Sequence, residues 1–352
     1  ENVFRRSLST VPTINAECHL IHGDRLKRFM QAISSIPEGE DAVSLQIGNY
    51  SIDEDATAWL NGNKLFQRHA VIVGSTGSGK SWCVAKILEQ VAALKSADAL
   101  LFDIHGEYST LQGENFQHLK VAGPNDTIQE GMLFLPYWLL TYEEMLSLML
   151  DRSDSNAPNQ AMMFSSAVID GKKEFLRDAD KTEMEANITL DSPIPYRLNK
   201  LLESLKAKDS EMVTGSRGEK QGPYFGKLTR FIQRLETKQK DKRLNFMFCG
   251  DDSLLTYDYM AELCSKLMLP SNDGVKIIDF SEVPSDILPL IVSLIARVIF
   301  SVQQWASTEN RHPIAIFCDE AHLYIPANTE KSIDDASLVT FERISKEGRK
   351  YG

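Results

Sequence analysis

The chain has 352 residues, with 49 acidic and 38 basic side chains and a formal net charge of −11. Apolar residues make up 43% of the chain and charged residues 25%, which excludes a disordered or fibrous protein. At about 100–200 residues per domain, this length predicts two domains or one large domain with an insertion. The acidic balance argues against a surface coated with positive charge for nucleic acid, although it is compatible with a local basic track.

The five cysteines are widely spaced and include no Cys-x-x-Cys pair. This pattern favours reduced thiols in a cytoplasmic protein over a disulfide framework or a zinc site. A membrane span needs roughly 18–20 apolar residues. We expect no apolar run to approach this length, and therefore no contact with a membrane. The first residues include no Met and no signal-type apolar stretch, and we expect that both ends of the chain have been trimmed.

The N-terminal part has a mixed pattern. Residues 24–33 show the spacing of a short helix, and residues 43–47 alternate between apolar and polar side chains like a strand. A stretch of this size is too short for an independent domain. We interpret residues 1–45 as a connector or a partial N-terminal β-domain.

A strand–helix–strand pattern follows. An apolar run at 69–73, a glycine-rich turn, a helical pattern over 80–94 and a second apolar run at 99–103 succeed one another. A unit of this length predicts a parallel sheet, of which residues 46–140 form the first part.

The second half of the chain contains a helical stretch and then returns to strands. Residues 141–243 are polar with amphipathic helical spacing, and we interpret them as a helical insertion. Residues 244–352 are predicted to complete the sheet around a long apolar helix at 286–305. The strand-like runs of this part are 244–249, 275–280 and 314–318.

The first chemical motif follows the apolar run at 69–73 and fits the pattern G-x-x-x-x-G-K-[ST]. Its residues are Gly74, Ser75, Thr76, Gly77, Ser78, Gly79, Lys80 and Ser81. In such a loop, backbone N–H groups surround the phosphates of ATP, Lys80 reaches the β and γ oxygens, and Ser81 ligates Mg²⁺. The helix that follows directs its positive end at the anion. With an apolar run before it and a helix after it, the motif predicts an ATP and Mg²⁺ site rather than a chance glycine-rich turn.

A second motif lies at the end of the run at 314–318, where Asp319 and Glu320 are adjacent. Asp319 is suited to hold the Mg²⁺ shell, and Glu320 to orient or deprotonate an attacking water. The pair favours hydrolysis over nucleotide storage, and the alternative is a solvated acidic turn. The tetrapeptide Asp-Glu-Ala-His suggests the DEAH-box helicases, but Asp319 lies 239 residues after Lys80, too far for the motif order of that group.

Four segments, taken together, resemble the HerA-type ATPases of the HerA–FtsK superfamily. They are residues 68–81, 102–108, 319–322 and 347–352, and the resemblance extends over roughly residues 45–352. The second segment departs from the family's Asp-Pro-His-Gly-Glu-Tyr signature, because Ile104 stands at the proline position. Asp103, His105 and Glu107 of that signature are kept.

The resemblance implies an α/β fold: a RecA-like P-loop NTPase core of the ASCE group, with an inserted helical bundle and a partial N-terminal β-barrel remnant. It also implies a hexameric ring with ATP between neighbouring subunits and an arginine supplied by the adjacent subunit. Arg349 is the first candidate for that arginine and Arg343 the second, while Arg68 is a candidate phosphate contact. A surface salt bridge is the alternative for each of them. The family's final strand would lie after Gly352.

Asp103, His105 and Glu107 lie at or just after the end of the second predicted strand. Ligands of open α/β sheets bind outside the carboxyl ends of the strands, so these side chains are candidates for contact with the γ-phosphate. For His105 and Glu107, a turn around Gly106 with local hydrogen bonds stays open as the alternative.

In function, the resemblance implies Mg²⁺-dependent ATP hydrolysis that drives a ring along double-stranded DNA, in partnership with a nuclease or another effector. The alternative is a ring-shaped scaffold in which ATP binding organises and activates or restrains a partner enzyme in antiviral defence. A small-molecule kinase with the same loop is disfavoured by the long insertion and by the Asp-Glu pair.

Residues 217–243, which we call the basic segment, hold nine basic residues against three acidic ones. Two interpretations stay open for them: sequence-independent contacts with DNA phosphates, and a solvated helix face. Pore loops of the ring are an equal candidate for DNA contact. The basic residues are Arg217, Lys220, Lys227, Arg230, Arg234, Lys238, Lys240, Lys242 and Arg243.

Overall fold

The computed structural model describes residues 11–34, 43–94, 98–215, 218–268, 274–325 and 333–352. Arg217 of the basic segment lies outside them. The strands are β1 (Ser44–Tyr50), β2 (Asp53–Asn61), β3 (Asp98–Asp103), β4 (Phe116–Val121), β5 (Met132–Leu133), β6 (Met212–Gly215), β7 (Gly218–Gln221), β8 (Val275–Asp279) and β9 (Ile314–Cys318). The helices are α1 (Gly23–Ser34), α2 (Gly62–Phe66), α3 (Lys80–Ala92), α4 (Tyr142–Met149), α5 (Ala157–Asp178), α6 (Leu198–Asp209), α7 (Thr229–Lys240), α8 (Asn245–Phe248), α9 (Tyr259–Met268), α10 (Leu288–Trp305) and α11 (Ile333–Tyr351).

Five parallel strands form the central sheet in the order β5-β4-β8-β3-β9. Successive side chains of a strand point to opposite faces, so Leu100 and Phe102 of β3 join one apolar cluster while Ala99 and Leu101 join another. Burial on both faces explains why the strand is a continuous apolar run. The predicted α/β core with a parallel sheet is confirmed.

Helices cover both faces of this sheet. Helix α3 and the antiparallel hairpin β1–β2 share an apolar cluster with one face, to which Leu45 and Leu88 contribute. Helices α10 and α11 and the helical insertion share the other cluster. The hairpin begins at Ser44, so it overlaps the segment 1–45 by two residues, and the boundary at residue 45 stays a prediction.

Helix α10 is long and apolar enough to cross a membrane by length and composition. The expectation that no apolar run approaches this length was therefore wrong. In the fold, however, 72% of the helix is buried inside the protein, with Leu290, Ile291 and Leu294 fully buried. This is the position of a core helix, and the long apolar run is explained by contact with the sheet on one side and with α11 on another.

The predicted strand at 69–73 does not form. Phe66, just before this run, packs against Phe317 of β9, yet Val71 and Val73 are 83% and 82% exposed. Among the described residues, β9 pairs only with β3 and is therefore the edge of the sheet. The run forms no ladder with this edge, and a strand is stabilised by its ladder with a neighbour.

The predicted strand at 244–249 is also wrong, because this segment is helical. A single 3₁₀ turn over Lys242–Leu244 leads into α8, and the side chains of Phe246 and Met247 are buried. Asp241 starts the turn by accepting a hydrogen bond from the Arg243 N–H (3.0 Å). A short apolar run fits a buried strand or a buried helix equally well. Helical structure thus continues to Met268, and the boundary at residue 244 stays a prediction.

A buried ion pair joins the helical insertion to the core. Glu144 of α4 accepts a hydrogen bond from the Thr141 N–H (2.7 Å), and the Thr141 side chain accepts one from the Glu144 N–H (3.3 Å), which together cap α4. The Glu144 carboxylate, 4% exposed, also binds the guanidinium of Arg297 on α10 (2.8 Å). The first turn of the insertion is therefore anchored to the helix that lies behind the sheet.

Candidate nucleotide site

The loop at 74–81 turns directly into α3. Gly77 (φ 77°) and Gly79 (φ 90°) take left-handed backbone conformations that suit glycine. The Cys83 N–H donates to the Gly79 carbonyl (2.9 Å) and starts the helix, and the Lys80 ammonium lies 3.4 Å from the Ser75 carbonyl. N–H groups of the first helical turn have no partner within the helix, so this end of α3 can receive an anion.

A tight turn at the end of β3 brings one predicted residue to the loop. The Asp103 carboxylate, 1% exposed, accepts hydrogen bonds from the N–H groups of Glu107 and Tyr108 (3.1 Å each). The Glu107 side chain accepts a hydrogen bond from the Ser81 hydroxyl (3.1 Å). The structure thus uses Asp103 to hold the turn, brings Glu107 to the phosphate-binding loop and leaves His105 exposed.

The end of β9 places the acidic pair beside that turn. The Asp319 N–H donates to the Phe102 carbonyl (3.3 Å) and continues the ladder between β3 and β9. Glu320 has φ 44° and ψ 42°, a conformation that is rare outside glycine, and its carboxylate lies 3.2 Å from Nδ1 of His322. The fully buried Tyr324 donates its hydroxyl to the Asp319 carbonyl (2.9 Å) and supports this strained turn.

We call residues 74–81, 103–108 and 319–322 the nucleotide edge. Its carboxylates repel one another. Burial raises the pKa of Asp319, and the charges of Glu320, Glu107 and Asp103 raise it further. Burial also raises the pKa of Asp103 against the backbone hydrogen bonds it accepts, and Asp279 adds to the rise. A cation bound here would relieve this repulsion.

The residues present fit a magnesium–nucleotide complex. Mg²⁺ uses one or two protein oxygens together with waters and phosphate oxygens, and Ser81 and Asp319 supply oxygens of the right kind. Within the described part of the chain, no group of three His, Cys, Asp or Glu side chains is placed to hold a metal by itself. In addition, the hydroxyl of Tyr108 is buried beside the Ser81 side chain and has no hydrogen-bond partner.

The three predicted arginines differ in their contacts. Arg343 donates to the Gln304 side chain (3.0 Å), and its guanidinium lies 5.0 Å above the Phe300 ring, so it is held on α10 of its own chain. Arg349, near the end of α11, and Arg68, before the loop, are exposed. The structure thus holds Arg343 against its own chain and leaves Arg349 at the surface.

Pairing within the chain occupies several cations of the basic segment. Arg234 of α7 binds Asp151 (2.6 Å), and Arg243 binds Asp241 (2.7 Å). Farther along α7, the Glu236 carboxylate forms an ion pair with the ammonium of Lys206 on α6 (2.5 Å). This pairing favours the solvated helix face over a continuous DNA track. The described cations that are at the surface include Lys220, Lys227, Lys240 and Lys242.

Sequence reasoning missed two tyrosines and a histidine that lie in or beside the nucleotide edge. Tyr108 and Tyr324 are both almost fully buried, and His322 contacts Glu320. All three lie inside or next to segments that the motifs mark, but their roles depend on burial and on the direction of the side chain. Neither property can be taken from the spacing of a motif.

With this geometry in place, comparison with known proteins decides the family. The model of the helicase HerA central domain matches residues 45–299. The chain belongs to the HerA helicase family. The resemblance based on the four segments is thereby confirmed.

Two archaeal relatives of this HerA-family chain align along most of its length. A probable helicase of Methanocaldococcus jannaschii is 25% identical over 318 residues, which are 88% of this chain and 52% of that protein. The DNA double-strand break repair helicase HerA of Saccharolobus solfataricus is 24% identical over 320 residues, 88% of this chain and 53% of that protein. The chain thus spans about half the length of the curated relatives it matches.

Solved structures of similar fold are more distant. The unbound bacterial conjugative coupling protein TrwB aligns with a TM-score of 0.49 at 15% identity, and the alignment covers 98% of this chain and 72% of the TrwB chain. VirB4 of Thermoanaerobacter pseudethanolicus aligns with a TM-score of 0.48 at 15% identity, and the alignment covers 90% of this chain and 76% of the VirB4 chain. The assignment of a RecA-like core therefore rests on the sheet order and the family match.

Proposed function

We propose that this HerA-family chain is the Mg²⁺-dependent ATP-hydrolysing core of a hexameric ring that translocates on double-stranded DNA. The observation that carries the proposal is the meeting of three segments at the nucleotide edge. Ser81 of the loop lies 3.1 Å from Glu107, and Asp319 extends the neighbouring strand. This meeting supports the proposal that groups for phosphate binding, metal binding and water activation act together at one edge of the sheet.

Four residues of the nucleotide edge have proposed roles that follow from their chemistry. Lys80 neutralises the β and γ oxygens of the nucleotide. Ser81 and Asp319 would hold Mg²⁺, which stabilises charge on the transferring phosphoryl group when bound. Glu320 orients the attacking water and accepts its proton.

The proposal of a ring is supported by the exposure of one side of the site. Residues 71–78 are exposed, and so are Arg68 and Arg349. An arginine placed by a neighbouring subunit against the γ-phosphate is worth about 10³–10⁵ in rate in well-studied nucleotide hydrolases. Assembly would thereby make each site depend on two chains.

The DNA track and the effector partner rest on family membership. The acid–base pairing in the basic segment favours DNA contacts elsewhere in the ring, such as its pore. It also favours the second candidate function, a ring-shaped scaffold that organises a partner effector enzyme in defence. A cytoplasmic location is part of the proposal, because all five cysteines are free thiols in the structure.

The deciding experiment measures the ATPase rate of the full-length protein with and without linear double-stranded DNA, over a series of salt concentrations. A translocase is expected to show stimulation that falls as salt rises, because phosphate contacts release counterions. Glu320→Gln supplies the background rate in the same preparation. An ATPase that DNA does not stimulate at any salt concentration would favour the scaffold, and a protein without ATPase activity would contradict both.

A further inference from the structure

Tyr108 has a buried hydroxyl without a partner. Its side chain is 3% exposed, and its ring belongs to the apolar cluster between α3 and the sheet. Among the described residues, only its hydroxyl and the side-chain oxygen of Gln117 are buried side-chain polar atoms with no hydrogen bond. Buried polar groups are paired in the great majority of cases, so this exception requires a reason.

Other buried tyrosines of this protein show the ordinary arrangement. The hydroxyl of Tyr259 donates to the Phe134 carbonyl (2.7 Å), and that of Tyr324 donates to the Asp319 carbonyl (2.9 Å). Tyr137 likewise donates to a main-chain carbonyl, that of Tyr196. Tyr108 differs because its hydroxyl is directed at the nucleotide edge rather than at a structural carbonyl.

The surroundings of Tyr108 point to one acceptor. Its hydroxyl faces the Ser81 side chain, in the field of Asp319, Asp103 and Glu107. The Ser81 hydroxyl donates its single proton to Glu107 (3.1 Å), which leaves two lone pairs on its oxygen. One of these pairs is available to a cation and the other to a donor.

The backbone of Tyr108 is held in place by a hydrogen bond. Its N–H donates to the buried Asp103 carboxylate (3.1 Å), and the same carboxylate holds the N–H of Glu107. A short turn therefore presents an acceptor for the Ser81 proton and a donor for the Ser81 oxygen from adjacent positions.

We propose that Tyr108 is a positioning residue for Ser81: when the site is loaded, its hydroxyl donates to the Ser81 oxygen. The chain of hydrogen bonds then runs from Tyr108 through Ser81 to Glu107 and directs the remaining Ser81 lone pair at Mg²⁺. This inference rests on the proposed ATPase function and names a further residue of that site.

The test is Tyr108→Phe in the full-length protein, which keeps the ring and removes only the hydroxyl. Mg²⁺ is titrated against a fluorescent ADP analogue, and the binding of the analogue is measured again in EDTA. The Mg²⁺ concentration for half-saturation is expected to rise about tenfold, the lower end of the losses seen when groups that orient metal ligands are removed. Binding in EDTA should stay within about twofold, since the hydroxyl acts through the metal ligand.

Tyr259→Phe is the matched control, because it removes a buried hydroxyl that has a structural partner. It should lower the thermal unfolding midpoint and leave the Mg²⁺ requirement unchanged. Tyr108→Phe should show the reverse pattern, with no loss of thermal stability, because its hydroxyl has no partner to lose. In a Ser81→Ala background, Tyr108→Phe should have no further effect on the Mg²⁺ requirement.

An unchanged Mg²⁺ requirement in Tyr108→Phe would overturn this inference alone. So would an equal weakening of binding in Mg²⁺ and in EDTA, or full additivity with Ser81→Ala, because each would separate the hydroxyl from the metal ligand. A wild-type protein whose nucleotide binding does not respond to Mg²⁺ at all would overturn the proposed function together with the inference.

Discussion

The nucleotide edge and helix α7 of the insertion place acidic side chains in opposite electrostatic environments. At the edge, burial raises the pKa of Asp103 and Asp319, and neighbouring carboxylates add to the rise. On α7, a hydrogen bond from Lys206 lowers the pKa of Glu236. Glu236 is therefore neutralised by a cation of its own chain, whereas the edge gathers like charges that a bound cation would neutralise.

This difference shows that unsatisfied charges mark a ligand site better than the number of charges does. By count, the basic segment with its nine cations is the most suggestive feature for DNA binding. Several of those cations are ion-paired in the fold, and exposed pairs of this kind contribute little. The four clustered carboxylates of the nucleotide edge cost the fold more stability than these exposed pairs do. Such unfavourable arrangements persist where function requires them.

The largest effect is expected from Lys80→Ala, because it removes the cation that faces the bound phosphates. ATP turnover should be abolished and nucleotide binding should weaken, as measured by a coupled ATPase assay and by fluorescence of a nucleotide analogue. The matched control is Lys206→Ala in the insertion, which should keep turnover within about twofold of wild type, since its ion pair is exposed. Near-normal turnover of Lys80→Ala would contradict the assignment of residues 74–81 as a phosphate-binding loop.

Arg349→Ala should follow, with a loss of about 10³-fold or more in turnover if this arginine completes the neighbouring site. Because it would act across subunits, mixed assemblies of wild type and variant should lose more activity than their composition predicts. Arg343→Ala is the control, since its guanidinium is held by Gln304 and Phe300, and it should mainly lower stability. Activities that average in proportion to composition would contradict a role in trans.

Glu320→Gln should lower turnover by about 100-fold, the lower end of what a positioned general base contributes. ATP binding should stay within about threefold of wild type, because the amide keeps the size of the side chain and Lys80 is untouched. Equilibrium binding and single-turnover hydrolysis separate the two effects. The same change at Glu236 on α7 should leave turnover unaltered, and loss of ATP binding in Glu320→Gln would contradict the role of a water-orienting base.

Asp319→Asn should raise the thermal stability of the metal-free protein at neutral pH by about 2 °C, the size of a small stability change in a chain of this length. The pKa of Asp319 is raised by folding, so its stabilising contribution is present in acid and is lost as pH rises through that pKa. The amide carries no charge and avoids this loss. Unfolding midpoints between pH 4 and 8 test the prediction, and Mg²⁺ with nucleotide should stabilise wild type more than the variant.

The smallest effect is expected from replacing Lys238, Lys240 and Lys242 together by alanine. If the basic segment is a solvated face, DNA-stimulated turnover should change by less than about twofold, and its salt dependence should keep its slope. Loss of the DNA stimulation would instead support the basic segment as a DNA contact. Titration with double-stranded DNA at low salt is the measurement.

Sequence patterns predicted the elements that have a regular apolar pattern of their own. Helix α3 follows a glycine-rich loop, helix α10 is a long apolar run, and strands β3, β8 and β9 are apolar runs that end near acidic residues. In each case the apolar residues that pack in the core recur at the spacing of the element itself. The family resemblance also followed from order and spacing alone.

The two wrong strands show the limit of local patterns. The run at 69–73 has the composition of a buried strand, but strand structure requires a neighbour that the run itself does not contain. The run at 244–249 is equally compatible with a buried helix, and packing against the helical insertion decided for α8.

By itself the sequence determined the glycine-rich loop before α3, the acidic pair of the second motif, the parallel sheet and the family. Only the tertiary structure decided which side chains act together: Glu107 rather than Asp103 reaches Ser81, Arg343 is held within its own chain, and the Tyr108 hydroxyl is left without a partner. The physical reason is that motif spacing constrains the backbone, whereas the pairing of polar groups depends on burial and on distances between segments far apart in the chain.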